Sequence, residues 1–504
     1  MLAERTLRLS TGAALVVSLL LLSSCAVPLG PGYTIEKQTL DVHFVAQPQP
    51  HLEIRAWYRM MNTGNEPLSS IEVFLPAQKS YMLESLRAEL DGHEISAHTT
   101  DDSGSDKVPV VFQPPWFQKQ RHELTVSYVM YQVRVGEGSA VFVTEDAFSL
   151  PSGKWYPEPR PPKGTFSQGT SPPKKWDLII QIPDEFLVHA SGSERKKERR
   201  NGETAHRFEE HAGDYFPFVI SGRYQQKEIR AENQVIYFWT HTPFSADEAR
   251  QEGEAIAKTI SFYDSAFGPR TKQKQPVWIV VCSIPDPAIR NLKLDDLLFV
   301  DKNVASDLPG VANACPGYFV DSVTGKPLRV SELAKANLVS AWFGYGLDPD
   351  WEKRDLPLDA LPQYAHYADQ SQSTRANSIG ENLKYYDSEM ANGKGNSLEG
   401  SKDKKAPAEP YLARYRKGVS FFFALEDQYG RDHLHHAIAR MIHARLGRGY
   451  DLDDLRSALE AETGQSVAEF FHHWLDKPGI PEDFRLRYAQ PNPSTTDKPM
   501  EEQP

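Results

Sequence analysis

Positive charge, cysteine and long apolar runs are all scarce in this sequence. Fifty-six Lys and Arg stand against 68 Asp and Glu, a formal net charge of −12. Nucleic-acid binding needs a basic face, so no nucleic-acid partner is expected. The three cysteines are Cys25, Cys282 and Cys315. If Cys25 belongs to an N-terminal signal, one disulfide at most remains. Cys282 and Cys315 fit that bond in an exported protein. They fit two buried thiols as well, because Cys282 ends an apolar run that reads as a core strand. The apolar run Gly12 to Leu22 is too short to span a bilayer comfortably. No internal repeat is legible. Proline, by contrast, is plentiful: 37 residues, clustered between Pro151 and Pro173 in what reads as a stiff surface connection. With 504 residues, 40% of them hydrophobic, the chain can build two or three domains.

The N-terminus carries the sharpest local signal. Arg5 and Arg8 form a basic region, Gly12 to Leu22 an apolar one, and Leu22-Ser23-Ser24-Cys25 follows. This run resembles the bacterial lipobox, in which cleavage before the cysteine exposes a thiol that carries a diacylglycerol. The other reading is an ordinary signal peptide with Cys25 as a small residue near the cut. Lipidation at Cys25 implies export and anchoring in the bacterial cell envelope, with the membrane as a partner. Ala26, where an Asp would resemble an inner-membrane retention signal, points to the outer membrane if the cell has one.

Residues 1–24 therefore read as a signal peptide and 25–34 as a tether. Residues 35–227 read as all-β: Leu52 to Tyr58 and Leu124 to Val129 alternate at period two, with turn signals at Asn65-Glu66-Pro67 and Asp91-Gly92. From residue 228 the period changes. Val235 to Thr240 and Gln275 to Cys282 read as strands. Ser245 to Phe267 reads as a long helix with a capping box at Ser245 and Glu248. Further helices are expected over 333–342, 359–368, 411–429, 432–446, 451–463 and 467–476. The polar stretch 369–410 reads as a mobile loop, and 491–504 as a disordered tail.

The second half holds an ordered series of short motifs. Ala341-Trp342-Phe343-Gly344 precedes Pro349-Asp350-Trp351 and then Asp359-Ala360-Leu361-Pro362-Gln363-Tyr364. Tyr415-Arg416-Lys417-Gly418, Phe470-Phe471-x-x-Trp474-Leu475 and Gly479-Ile480-Pro481 follow. In order and spacing the series resembles the aminopeptidase N and leukotriene-A hydrolase family of gluzincin metallopeptidases, whose members run HExxHxWxG, EGxAxY, YxKG and a closing FFxxW. Trp155-Tyr156-Pro157 resembles part of the same family's N-terminal domain. The resemblance implies a multidomain α+β protein: an all-β, sandwich-like saddle domain (35–227) before a thermolysin-like, mainly α-helical peptidase-type domain (228–490).

A catalytic zinc takes three protein ligands and keeps an open position for water. A glutamate beside the first ligand acts as general base. Anchored on Trp342, the resemblance puts the first zinc ligand at Ala336, the base at Asn337 and the second ligand at Ser340. Eighteen residues separate Ser340 from Asp359, the third ligand position. Ala336 has no donor atom, Asn337 cannot take up a proton, and a neutral Ser340 hydroxyl is a poor zinc ligand. The glutamate that holds the substrate amine in the family's GxMEN strand is replaced by Ala314. Tyr415 keeps the position of the tyrosine that stabilises an oxyanion in active relatives, and also reads as a packing residue. No zinc or other cofactor is expected.

Alternative metal sites are weak. His93-Glu94-Ile95-Ser96-Ala97-His98 spaces its histidines by five within a β segment, which sends them to opposite faces. His433, His435, His436 and His443 read as solvated helix surface, and His472-His473 diverge by about 100° on their helix. The expected function is that of a non-catalytic envelope lipoprotein, a pseudopeptidase binding a peptide or an envelope protein in the interdomain cleft. A zinc aminopeptidase with displaced ligands, and a metal-free hydrolase using Asp359, Tyr415 and Cys315, are the alternatives.

Overall fold

The computed structural model describes residues 32–76, 81–97, 100–102, 105–132, 142–150, 155–160, 175–211, 217–241, 244–269, 276–281, 311–314, 329–343, 360–392, 411–445, 450–475 and 478–488. Cys25, Cys282, Cys315, Trp351 and Asp359 lie outside these residues, as do the N-terminal signal and the C-terminal tail.

Among the described residues sixteen strands come first: β1 (Tyr33–Val45), β2 (His51–Asn62), β3 (Leu68–Phe74), β4 (Tyr81–Leu90), β5 (His93–Ile95), β6 (Thr100–Asp102), β7 (Ser105–Trp116), β8 (Arg121–Gln132), β9 (Phe142–Val143), β10 (Ala147–Leu150), β11 (Glu158–Arg160), β12 (Lys175–Pro183), β13 (Leu187–Ala190), β14 (Ser193–Arg200), β15 (Glu203–His211) and β16 (Val219–Gly222). They form an eight-stranded sheet, ordered β14-β15-β12-β1-β2-β8-β4-β5, and two four-stranded sheets, β13-β16-β10-β9 and β11-β3-β7-β6. Period-two alternation is the cause. Leu52, Ile54, Ala56, Tyr58 and Met60 of β2 face one core, and Glu53, Arg55 and Arg59 face out. Asp91 and Gly92 make the β4–β5 hairpin, both at positive φ (52° and 79°), which the tight turn requires. Asn62 is fully buried and braces the following turn: its side-chain amide donates to the Trp116 carbonyl at 2.7 Å and to that of Glu66 at 3.2 Å. Trp155-Tyr156-Pro157 is tied to the large sheet through the Tyr58 and Tyr128 hydroxyls, which donate to the Pro157 and Trp155 carbonyls.

Strand β17 (Gln225–Ala231) starts a fourth sheet with β18 (Gln234–Thr240), β19 (Val277–Val281) and β20 (Val311–Ala314), in that order. The run of strands belonging to the first core therefore ends at β16, and residue 228, where the period changes, falls inside β17. Helices follow: α1 (Ala246–Phe267), α2 (Val330–Leu338), α3 (Ser340–Phe343), α4 (Leu361–Ala368), α5 (Gln372–Asn392), α6 (Tyr411–Tyr429), α7 (Arg431–Arg445), α8 (Leu452–Thr463), α9 (Ala468–Leu475) and α10 (Glu482–Tyr488). None among the described residues is long and apolar enough to cross a membrane.

Two separate buried clusters organise the described residues. One lies among the first sixteen strands; the other joins the fourth sheet to the helices. Helix α1 starts with the expected capping box: Ser245 Oγ accepts from the Glu248 N–H, and the Glu248 carboxylate accepts from the Ser245 N–H. Its Gly253 lies so close to Ile229 of β17 that a Cβ would come within 2.6 Å of that side chain. Helix α6 is the hub of the helical core, with Phe421, Phe422, Phe423 and Leu425 all buried.

Two expectations about the helices are corrected. The stretch 369–410 is not a loop throughout, because Gln372–Asn392 is helical. Ile379, Leu383 and Tyr386, spaced by four and three, are buried on one side of it; only three apolar anchors among polar residues make that period hard to see. The helix expected over 333–342 is interrupted at Val339, between α2 and α3.

Candidate functional site

The positions singled out by the sequence lie on α2, α3, α4, α6 and β20. Ala336 and Asn337 occupy the last turn of α2, and Ser340 opens α3. Past the break the Trp342 N–H bonds the Val339 carbonyl, three residues back, at 3.0 Å. Two ligands spaced i and i+4 need one unbroken helical face, and here the interruption falls between 336 and 340. Ala314 ends β20, opposite Val281 of the parallel strand β19, and β20 runs alongside α2. The fold thus sets β20, which ends at Ala314, alongside α2, which carries Ala336 and Asn337.

Trp342 is held firmly. It is buried, its Nε1–H donates to the Gly268 carbonyl at 3.0 Å, and Tyr263 packs edge-on at 5.2 Å. The N-terminus of α2 is clamped by Glu252 of α1, whose carboxylate accepts from the Ser331 N–H at 2.7 Å and from Arg329 at 2.8 Å. This places negative charge where the helix presents unpaired N–H groups.

Beside Ala336, Lys335 pairs with Asp369 at the end of α4 at 3.0 Å. His366 lies nearby with its Nδ1 buried and unbonded among the described residues. Burial first, and then the Lys335 charge, pull its pKa down to about 4. Among the described residues, no three His, Cys, Asp or Glu side chains gather as metal ligands. A zinc ion fits this donor set poorly. Ala336 offers no atom, and the helix breaks before Ser340.

Behind α4 lies a buried polar network that the sequence did not reveal. The Tyr364 hydroxyl donates to Glu426 Oε2 at 3.0 Å and lies 3.2 Å from His435 Nε2. The other oxygen of Glu426 accepts from Arg375 at 2.8 Å and from Arg431 at 2.9 Å. Tyr364, Glu426 and His435 are all buried. A neutral imidazole carrying its proton on Nε2 donates to the Tyr364 oxygen and completes the chain. Burial takes the His435 pKa down to about 4. Burial also holds the Glu426 carboxyl above the usual range, outweighing the opposing pull of Arg375. His435 is therefore not the solvated surface residue expected from its neighbours: α7 turns it inward between Leu434 and the α4–α6 interface. Glu426, a charged residue directly after the apolar Phe421–Leu425 run, was the one available hint of this network.

The remaining positions stay apart. Tyr415 is half-buried on α6 and packs against the helical core, with the Arg416 guanidinium 5.7 Å from its ring. His436 bonds Glu462 at 3.1 Å, His433 bonds the Tyr429 carbonyl at 2.9 Å, and His443 lies over Gly268. His472 and His473 are exposed, as is His93, whose companion His98 is outside the described residues.

No protein-family model matches the chain, and no curated protein matches it. Solved structures do. An M1 zinc metallopeptidase from Deinococcus radiodurans aligns with a TM-score of 0.57 at 15% identity, over 90% of this chain and 98% of that one. A mutant of that protein bound to a Tyr-Ser-Ala substrate aligns equally well, covering 96% of its length. Aminopeptidase A from Legionella pneumophila, in complex with aspartic acid, gives a TM-score of 0.57 at 13% identity over 90% of this chain and 50% of that chain. At such identities the likeness is one of fold: a multi-sheet β domain followed by a helical region, as in M1 aminopeptidases.

Proposed function

We propose that this chain is a pseudopeptidase, an exported lipoprotein with the fold of the M1 zinc aminopeptidases that binds a peptide or protein without cleaving it. The cleft between the β domain and a thermolysin-like helical domain is the binding site, and the lipid on Cys25 is the anchor to the envelope. The observation that carries the reading is the residue set at the reaction centre: Ala336, Asn337 and Ser340 where two ligands and a base are needed, with the scaffold around Trp342 intact. Zinc-bound water becomes a nucleophile because the cation lowers its pKa to about 7; one carboxylate, Asp359, cannot hold that cation alone. Tyr415 then serves packing, and Ala314 leaves a substrate amine unheld. The solved neighbour that takes Tyr-Ser-Ala makes short peptides the first ligands to try.

The test is elemental analysis of the purified protein together with hydrolysis of a panel of aminoacyl-coumarin substrates, with and without zinc. The expected result is no stoichiometric zinc and no turnover. Chelator-sensitive turnover overturns the proposal in favour of a zinc peptidase with displaced ligands. A Cys25→Ser variant should leave the membrane fraction; its retention there would mean that a different anchor holds the protein.

A further inference from the structure

The outward face of the eight-stranded sheet carries a groove of about 470 Å³, on strands outside the core that holds α2 and α3. Its lining includes Asp41, His43, Glu53, Arg55, Arg87 and Ser127. Register explains why they converge. Asp41 pairs with Arg55 across β1 and β2, Arg55 with Ser127 across β2 and β8, and Ser127 with Arg87 across β8 and β4. Directly opposed residues put their side chains on the same face of a sheet. The four therefore form one row across four strands, reading acid, guanidinium, hydroxyl, guanidinium. Adjacent strands lie about 4.8 Å apart, so Arg55 and Arg87 stand about 10 Å apart with Ser127 between them, and both side chains are long enough to meet above it.

The charges of this row are unequally committed. Glu53 is engaged by His43 at 2.9 Å, and the other ring nitrogen of His43 contacts Glu203 at 3.3 Å. Asp41 is pushed towards its neutral form by burial, which outweighs the attraction of Arg55 and Arg207. Arg59, four residues beyond Arg55 along β2, is tied to Glu123 at 2.8 Å. Arg55 and Arg87 form no ion pair or hydrogen bond with any described residue. In a chain of net charge −12, two guanidiniums facing one groove, neither in an ion pair or hydrogen bond with a described residue and only Arg55 drawn by Asp41, are a local exception. The wall that carries Arg87 is also irregular: the β4–β8 register shifts between Glu84 and Arg87, and Ser85 takes a φ of 53°. Bulges of this kind re-aim side chains next to functional sites.

We infer that this groove binds a small ligand through an oxyanion, a carboxylate or a phosphate group, held between Arg55 and Arg87 over the Ser127 hydroxyl. Paired guanidiniums suit such a group because each presents two parallel N–H donors to two oxygens. The site is independent of the interdomain cleft, and a ligand there is bound, not transformed.

The experiment is isothermal titration of the full-length protein at low ionic strength with inorganic phosphate and, separately, with succinate. At least one anion should bind saturably with a stoichiometry near one, and which of them does identifies the source chemistry. Arg87→Ala and the double variant Arg55→Ala/Arg87→Ala should weaken it by about tenfold or more, whereas Arg59→Ala, whose guanidinium is already paired, should not. The single variant changes one exposed side chain, so a folding failure of the double variant leaves the test intact. Saturable binding of neither anion to the wild type, or undiminished binding to Arg87→Ala, overturns the inference.

Discussion

Burial turns His435 and His366 into groups that resist protonation. Folded, each stays neutral down to about pH 4; unfolded, each takes up a proton near pH 6.5. Between those values the unfolded chain binds protons that the native chain does not. Stability is therefore whole above about pH 6.5 and falls as the pH drops towards about 4, by on the order of 3 kcal/mol for His435. Urea midpoints measured from pH 4 to 7 should show this slope, and a His435→Gln variant should flatten it; parallel slopes would contradict the assignment. The Tyr364 hydroxyl is the other sensitive point. Tyr364→Phe leaves Glu426 and His435 each short of a buried partner, a loss of about 1–3 kcal/mol in the same assay. None of this was legible residue by residue. His433, His435 and His436 look alike in the sequence, and only the rotation of α7 against α4 and α6 separates the buried one from the two exposed.

At the scale of the element, local chemistry was a good guide wherever caps and periods were strong. Ser245 and Glu248 foretold the start of α1, and Asp451 and Asp454 form a second capping box at α8, which ends at Gly464 in the left-handed conformation (φ 68°). Ser245→Ala should cost about 1 kcal/mol in thermal unfolding, and a neutral result would mean that tertiary contacts alone hold that end. Guidance failed where the pattern was diluted. Helix α5 hides three apolar anchors among polar residues, and the break at Val339 has no Pro or Gly to announce it. That break bears on the site. The triple change Ala336→His, Asn337→Glu and Ser340→His should take up zinc well below one equivalent, because the two imidazoles would flank an interruption. Stoichiometric zinc in the folded variant, read by elemental analysis, would show that the helix face is effectively continuous.

Across the whole molecule, two cores meet at a small aromatic joint. His189 of β13 stacks on Trp278 of β19 with ring centroids 3.6 Å apart, flanked by Phe218 and Tyr237. Trp278→Ala removes the stack and leaves both cores intact. Calorimetry should then resolve two unfolding transitions where the wild type gives one, and a single transition in both would place the coupling elsewhere. By itself the sequence determined the division into a β half and a helical half, since periods of two and 3.6 are local properties of the chain. It also determined that Ala336, Asn337 and Ser340 carry no imidazole and no carboxylate in any conformation. Only the tertiary structure decided which charges end up buried together and which are left uncommitted. The Tyr364–Glu426–His435 network joins residues 62 and 71 positions apart, and the Arg55–Ser127–Arg87 row depends on strand order and register. Both are relations between distant segments, set by which apolar faces pack together, and no local pattern encodes them.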